Sequence, residues 1–269
     1  LLLYFFGKIL NIPINKKLRT PEILAALFDL DGTLLDANEE IPNNILNKII
    51  LISKIIPVSI ISGRIFSSVL EYAKLLQLTS PQISDNGAII FDPLQNNKII
   101  FSKSLDKNIS RSVFEILDKN NFEYFASADG KTMTHKMKNK NTQSVNIITC
   151  FYKDVKKYLN EKTIIDKSKT SLIHSSGSMG EEYISFMPKN IHKGIAVDEY
   201  SRILKIDKSK IFAIGDGMND IEMLKESGVS VAMGNSVQEV FKVSKYSTKK
   251  YIENGTQEVL DWILKGISP

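Results

Sequence analysis

The stretch Leu27-Phe28-Asp29-Leu30-Asp31-Gly32-Thr33-Leu34-Leu35-Asp36 decides the fold, because it ends an apolar run from Ile23 to Phe28 with two carboxylates one residue apart. The run reads as a buried strand and its polar end as the loop leaving it. Residues i and i+2 of an extended chain point to the same side, so Asp29 and Asp31 converge on one spot at the strand's carboxyl end. In an α/β sheet that edge is where ligands bind. Like charges so close need a cation or a positive neighbour. Gly32 lets the backbone turn tightly, and Thr33 offers a hydroxyl to hold the loop. Taken alone, D-x-D-G suits a plain turn as well as it suits catalysis, and the rest of the chain decides.

Further strands follow, each ending in polar residues. A helical pattern carrying Ile45, Ile49 and Ile52 leads to the strand Val58–Ile61, which ends in Ser62-Gly63-Arg64 before a helix at 66–78. A hydroxyl and a glycine ahead of a helix start make a phosphate pocket. Pro81–Ser84 is a third strand, running into the turn Asp85-Asn86-Gly87-Ala88. From residue 89 the texture changes to strands at 88–91, 98–101, 122–126, 132–135, 144–151 and 183–187, with helical patterns at 109–119 and 155–160. Many strands with few crossovers predict an antiparallel sheet with helices on one face, inserted into the first domain. After Pro188, Lys193-Gly194 opens a helix, and the strand Ile211–Ile214 ends in Gly215-Asp216-Gly217-Met218-Asn219-Asp220. Another strand, Val229–Met233, then gives way to Gly234-Asn235-Ser236, and a last helix surrounds Val259–Leu264.

The expected fold class is therefore α/β: a doubly wound, mostly parallel, Rossmann-like sheet built from residues 1–88 and 188–269, with an α+β cap domain over 89–187. A hydrophobic content of 43% and a charged content of 24% are those of an ordinary globular protein. The net charge of +5 comes from scattered lysines, which argues against a nucleic-acid partner and suits anionic substrates. Cys150 stands alone and reads as a small buried apolar residue in a reducing, cytoplasmic setting. The opening Leu1–Phe6 is too short for a membrane span and lacks a leader's basic residues, so no membrane partner is expected. Asp36 reads as a turn acid and Trp262 as a packing residue, while His135, His174 and His192 share no metal-site spacing; His135 could line a substrate entrance.

Asp29, Asp31, Ser62, Lys193, Asp216 and Asp220 all fall at strand ends or helix starts of one sheet. Clustered carboxylates with oxygen-only character suit Mg²⁺, which bridges to phosphate oxygens. Ser62 and Lys193 supply donors and positive charge for the same phosphate. A carboxylate can attack phosphorus to form an aspartyl-phosphate, while a second acid protonates the leaving oxygen and then activates water. A phosphotransferase or mutase would use the same groups. A phospho-accepting receiver also gathers carboxylates, a hydroxyl and a lysine, but its acid pair is adjacent and a 100-residue insertion has no place in it.

The set D-L-D-G-T, S-G-R, K-G and G-D-G-M-N-D, in that order with a large insertion after the second, resembles the haloacid dehalogenase (HAD) superfamily of phosphatases. The place of the insertion, D-N-G-A at 85–88 and M-G-N-S at 233–236 resemble its Cof-type subfamily. The resemblance implies Asp29 as nucleophile and metal ligand, and Asp31 as general acid/base whose backbone carbonyl also reaches the metal. It implies Ser62, Gly63, Lys193 and the backbone near Leu30 as phosphate holders, with Asn219 near phosphate or metal water; Arg64 reads equally as a substrate ligand or as a salt-bridge partner within the core. Asp216 would be the other direct Mg²⁺ ligand, and Asp220 would complete and orient the metal site. Asp85 departs from the small neutral residue more usual before N-G. The expected partner is a small phosphorylated metabolite: sugar phosphates first, then flavin mononucleotide, pyridoxal phosphate or nucleotides. The protein is expected as a monomer or weak homodimer.

Overall fold

The strand ending at the first acid pair, Ala25–Phe28 (β1), has both faces covered, which is why its sequence is apolar without alternation. Helices Asn43–Ser53 (α1) and Phe66–Leu75 (α2) flank Val58–Ile60 (β2), which pairs parallel with β1. Next come Gln82–Ser84 (β3), Ile89–Asp92 (β4), Lys98–Ser102 (β5) and helix Lys107–Lys119 (α3). Tyr124–Ala128 (β6), Lys131–Met133 (β7), Val145–Phe151 (β8), helix Tyr152–Val155 (α4), Thr170–Ser176 (β9) and Glu182–Pro188 (β10) follow. The chain closes with helix Lys193–Leu204 (α5), Ile211–Gly215 (β11), helix Ile221–Glu226 (α6), Val229–Ala232 (β12), helix Gln238–Val243 (α7), Tyr246–Ser247 (β13) and helix Gly255–Lys265 (α8). This computed structural model describes residues 22–134, 144–160, 166–177 and 180–266; Leu1–Phe6 and His135 lie outside them.

The main sheet has the order β13-β12-β11-β1-β2, every pair parallel. Alternate residues of its strands feed two clusters. Ala26, Phe28, Phe212 and Ile214 pack with Ile49 of α1 and Leu260 of α8 on one face. Ala25, Leu27, Ala213 and Ile211 pack with Val197 and Tyr200 of α5 and Met223 of α6 on the other. The fully buried Tyr200 keeps its hydroxyl paired, accepting from Ser59 Oγ at 2.7 Å. Trp262 packs against the first cluster, as its place in α8 predicts.

Strands β3, β4 and β5 form an antiparallel sheet joined to the main one through the Ile61–Ile83 bridge. Ile89 and Phe91 of β4 enter the Phe28 cluster, and Ile90 enters the Leu27 cluster with Ile100 and Phe101 of β5 beside it. Alternating apolar side chains thus tie residues 89–102 to the main sheet, and the antiparallel sheet with its own core starts later. That sheet has the order β7-β6-β8-β10-β9, with α3 and α4 on one face over Phe114, Ile148, Ile184 and Phe186. The helical pattern at 155–160 is divided in the structure between α4 and a single 3-10 turn. The polar strand β9 pairs with β10 along seven residues. Cys150 is buried and free, and burial pushes its thiol up to about 12, so it behaves as an inert apolar group.

The opposite face of this second sheet meets the main one: Ile147 and Met187 pack against Ala88 and Ile191, with Ile173, Ile65 and Ile195 around them. Asn146 stitches the junction, donating to Ser102 Oγ at 2.9 Å and to the Lys103 carbonyl at 2.8 Å while accepting from the Asp129 N–H at 2.8 Å.

Candidate active site

β1 and β11 are neighbours in parallel register, Phe28 beside Ile214, so the acids that follow each strand emerge side by side. α5 brings Lys193 to the same place from its first turn. The Lys193 ammonium donates to Asp29 Oδ1 at 2.6 Å and to Asp220 Oδ1 at 2.5 Å, with no part of its side chain exposed. The other oxygen of Asp220 accepts from the N–H groups of Asp216 and Gly217 at 3.0 and 2.9 Å. Both oxygens of Asp220 are thus engaged in tying its own loop to Lys193. Asp216 accepts from Thr33 Oγ1 at 3.4 Å and from Asn235 Nδ2 at 3.0 Å, and the same Asn235 amide donates to the Gly32 carbonyl at 3.0 Å. Gly32 has φ +73°, and a Cβ there would lie 2.2 Å from Asp216 Oδ2, so only glycine lets the two acidic loops touch.

Asp29, Asp216 and Asp220 each offer an oxygen within 4.8 Å of the others. Burial raises the Asp29 carboxyl to about 7, with the charge of Asp220 acting in the same direction and Lys193 opposing. Asp216 is likewise pushed well above the usual carboxylate range by burial, then by Asp29 and Asp220. Burial works against the charge on Lys193 too, but Asp220 and Asp29 outweigh it and hold the ammonium protonated. Three acids facing one ammonium leave the cluster short of positive charge. A donor set of buried carboxylate oxygens with that deficit fits a hard divalent cation.

Asp31 is not part of this cluster. Its two oxygens sit in the fork of Arg64, Nε to Oδ2 at 3.0 Å and Nη2 to Oδ1 at 2.6 Å. Arg64 also donates from Nη1 to Glu39 Oε2 at 3.2 Å, lies over the Tyr72 ring at 5.6 Å, and is kept charged by Asp31 and Glu39 against its partial burial. Glu39 reaches it from the turn that Asp36 organises, where Asp36 Oδ1 accepts from the Asn38 and Glu40 N–H groups at 2.8 and 2.9 Å. The structure therefore places Arg64 on an acid rather than on open space, and Asp36 in the turn expected of it.

Ser62 accepts from the Arg64 N–H at 3.1 Å, and its carbonyl takes the Asn86 N–H at 3.0 Å. Asn86 is held in the left-handed region at φ 51° and accepts from Asn219 Nδ2 at 3.0 Å, with Gly63 packed against both amides. Leu30 is buried, its carbonyl accepting three N–H bonds that curl the acidic loop. Sequence reading singled out neither Glu39 nor Asn86 as a site residue. For Asn86 the signal was there, an asparagine ahead of glycine at a strand end. Glu39 had none, since only the folded turn brings it to Arg64. His174, on β9 of the second sheet, lies edge-on to Tyr152, and His192 occupies the N-cap position of α5 without a side-chain bond to it.

A sequence profile of haloacid dehalogenase-like hydrolases matches residues 26–173 and 134–260. A 5-amino-6-(5-phospho-D-ribitylamino)uracil phosphatase of Bacillus subtilis strain 168 is 28% identical over 249 residues, covering 90% of this chain and 97% of the relative. A phosphoglycolate phosphatase of Methanobrevibacter smithii is 26% identical, covering 88% of this chain and 97% of its own. Among solved structures, that of a haloacid dehalogenase-like hydrolase from Bacteroides thetaiotaomicron superposes with a TM-score of 0.76 at 21% identity, covering 90% of this chain and 100% of the other.

Proposed function

Because the chain belongs to the haloacid dehalogenase-like hydrolase family, we propose that it is a Mg²⁺-dependent phosphatase that cleaves small phosphomonoesters through a phosphorylated Asp29. The observation carrying this reading is the Lys193 ammonium held between Asp29 and Asp220 at 2.6 and 2.5 Å in a buried, acid-rich strand-end site. Lys193 takes Oδ1 of Asp29 and leaves Oδ2 for attack. Asp29 and Asp216, with the main-chain carbonyl of Asp31, would hold the metal; Asp220 completes its acidic surroundings by fixing Lys193 and the loop. Bound there, Mg²⁺ supplies the missing positive charge, keeping the nucleophile ionised and neutralising phosphoryl oxygens.

In this reading Asp29 Oδ2 forms a bond to phosphorus as the ester oxygen leaves with its electron pair and takes a proton from Asp31. Asp31, now a carboxylate, takes a proton from a water that attacks the phosphorus, and the Asp29–phosphorus bond breaks to release inorganic phosphate. Ser62, Gly63, Lys193, Asn219 and the backbone near Leu30 hold the phosphoryl group throughout. Asp31 can serve only after leaving the fork of Arg64, and Glu39 offers that guanidinium a second acceptor. The second sheet acts as a cap over residues 103–188, with β4 and β5 counted with the core, and closes over the site to exclude water. A reducing, cytoplasmic setting belongs to the same proposal, given the free buried Cys150. Among the described residues no helix is long and apolar enough to cross a membrane.

The test is phosphate release from a panel of phosphorylated metabolites and p-nitrophenyl phosphate, with Mg²⁺ or chelator. Turnover should require the metal and fall by roughly a thousandfold or more in Asp29→Asn. Chelator-insensitive turnover, an active Asp29→Asn, or no turnover from folded protein with Mg²⁺ would each refute the proposal.

A further inference from the structure

The turn Asp85–Gly87, between β3 and β4, is built against its own backbone preferences. Its residues all hold positive φ, Asp85 at 53°, Asn86 at 51° and Gly87 at 95°, and only the last is a glycine. Left-handed backbone is unfavourable for a residue with a Cβ, even for Asn and Asp, which tolerate it best. Asn86 carries a second cost: it is fully buried, and among the described residues its Nδ2 has no hydrogen-bond partner. Strain and an unpaired buried donor in one residue argue for a task other than stability.

The contacts of the turn say what that task is. The Asp85 N–H donates to the Arg64 carbonyl at 2.9 Å and the Asn86 N–H to the Ser62 carbonyl at 3.0 Å, so the loop Ser62-Gly63-Arg64 is held at both ends. Gly87 lies against the start of α5, where a Cβ on it would stand 2.7 Å from the His192 carbonyl, one residue before Lys193. Between these two contacts the Asn86 side chain crosses to the loop after β11, and its Oδ1 accepts from Asn219 Nδ2 at 3.0 Å. Gly63 fits against the pair: a Cβ there would lie 3.1 Å from Asn86 Oδ1 and 3.4 Å from Asn219 Nδ2. One turn thus braces the three segments that carry Ser62, Lys193 and Asn219.

Asn219 is half-buried, whereas Asn86 is fully enclosed. Asn86 therefore has no exposed surface to offer a substrate, and its one side-chain bond fixes the amide of a residue that has. With one N–H committed to Asn86, Asn219 presents its other N–H and its oxygen in a set direction. A donor fixed in advance is worth most where charge develops on phosphoryl oxygens. Resting on the phosphatase reading above, we propose that Asn86 is a positioning residue for phosphoryl transfer: its Oδ1 orients the Asn219 amide on the phosphoryl group, and the left-handed turn is kept because it puts that oxygen there.

The experiment measures kcat/KM with p-nitrophenyl phosphate, and thermal unfolding, for the natural protein, Asn86→Gly, Asn86→Ala, Asn219→Ala and the double variant Asn86→Gly with Asn219→Ala, all with Mg²⁺. Asn86→Gly should lower kcat/KM by about tenfold, the effect of one lost hydrogen bond. Glycine accepts the positive φ and alanine does not, so Asn86→Ala should unfold about 2–4 °C below Asn86→Gly and yet be equally slow. In the Asn219→Ala background, adding Asn86→Gly should cost less than about twofold, because the group it orients is gone. A role in stability alone makes the opposite forecast, with activity following the unfolding temperature and equal losses in both backgrounds. Either of those results, or an Asn86→Gly within about twofold of the natural protein, would overturn this inference and leave the phosphatase reading standing. No turnover of any ester by the natural protein would overturn both.

Discussion

Lys193 and Arg64 each stand between two carboxylates, yet Lys193 has no exposed surface whereas Arg64 keeps 20% of its side chain open and its partners Asp31 and Glu39 keep 24% and 52%. The first network is anchored in the main sheet: Asp29 and the Asp216–Asp220 loop leave adjacent strands, and α5 supplies the lysine. The second joins a strand-end arginine to a loop acid and to Glu39, whose φ of +60° places it in a turn. On the proposed mechanism, the charges that would hold the phosphoryl group sit on the buried network, and the acid that would give and take protons sits on the more exposed one.

The largest effect separating the two should come from Lys193→Met. Leaving the buried acids without their cation should cost about 3–5 kcal/mol of stability, because an uncompensated buried charge is far more expensive than an exposed one. Denaturant unfolding checks this, and a loss below about 1 kcal/mol would place Lys193 with ordinary surface pairs.

Asp85 sharpens the comparison as a buried acid with no cation. Its Oδ2 accepts from Ser84 Oγ at 2.8 Å, but its Oδ1 and the nearby Ser127 Oγ of the cap make no hydrogen bond. Burial raises its carboxyl to about 7, with the Ser84 hydroxyl pulling the other way. A folded-state value above the unfolded one means that the native chain holds a proton the unfolded chain has lost. Stability from this group is therefore full at acid pH and declines as pH rises through the window up to about 7, by about 3 kcal/mol between roughly pH 5 and pH 8. In saturating Mg²⁺, Asp85→Asn should flatten that decline and be the more stable protein at the alkaline end. An unchanged slope would contradict it.

The smallest effect belongs to Glu39→Gln. As half of an exposed pair it should change stability by less than about 1 kcal/mol. Removing the competing acceptor leaves Arg64 more firmly on Asp31, so kcat should fall about two- to fivefold with KM little changed. Steady-state kinetics decide it, and a rise in kcat would mean that Glu39 restrains Arg64 rather than drawing it off.

The strands carrying the acids were legible because parallel strands buried on both faces must be apolar and must end abruptly in polar residues, as Phe28-Asp29 and Gly215-Asp216 do. The edge of the core was harder to read. Ile89–Phe91 alternates onto two different clusters of the main sheet, and a three-residue apolar run says nothing about which core it enters. β9 escaped notice since its Thr, Ser and His content matches a loop as well as a strand whose inner face is polar. The Arg64–Asp31 pair was one of two equal readings of Arg64, and Glu39 was hidden because its contact depends on one positive-φ turn.

Quenched-flow mass spectrometry on Asp31→Asn with p-nitrophenyl phosphate tests the central claim most directly. Nitrophenolate leaves without needing a proton, so the first step can run while the water-activating step cannot. One phosphoryl group should accumulate on the peptide containing Asp29, and Asp29→Asn should carry none. Nitrophenolate released by Asp31→Asn with no phosphoryl group on that peptide, or an adduct elsewhere in the chain, would contradict a nucleophilic Asp29.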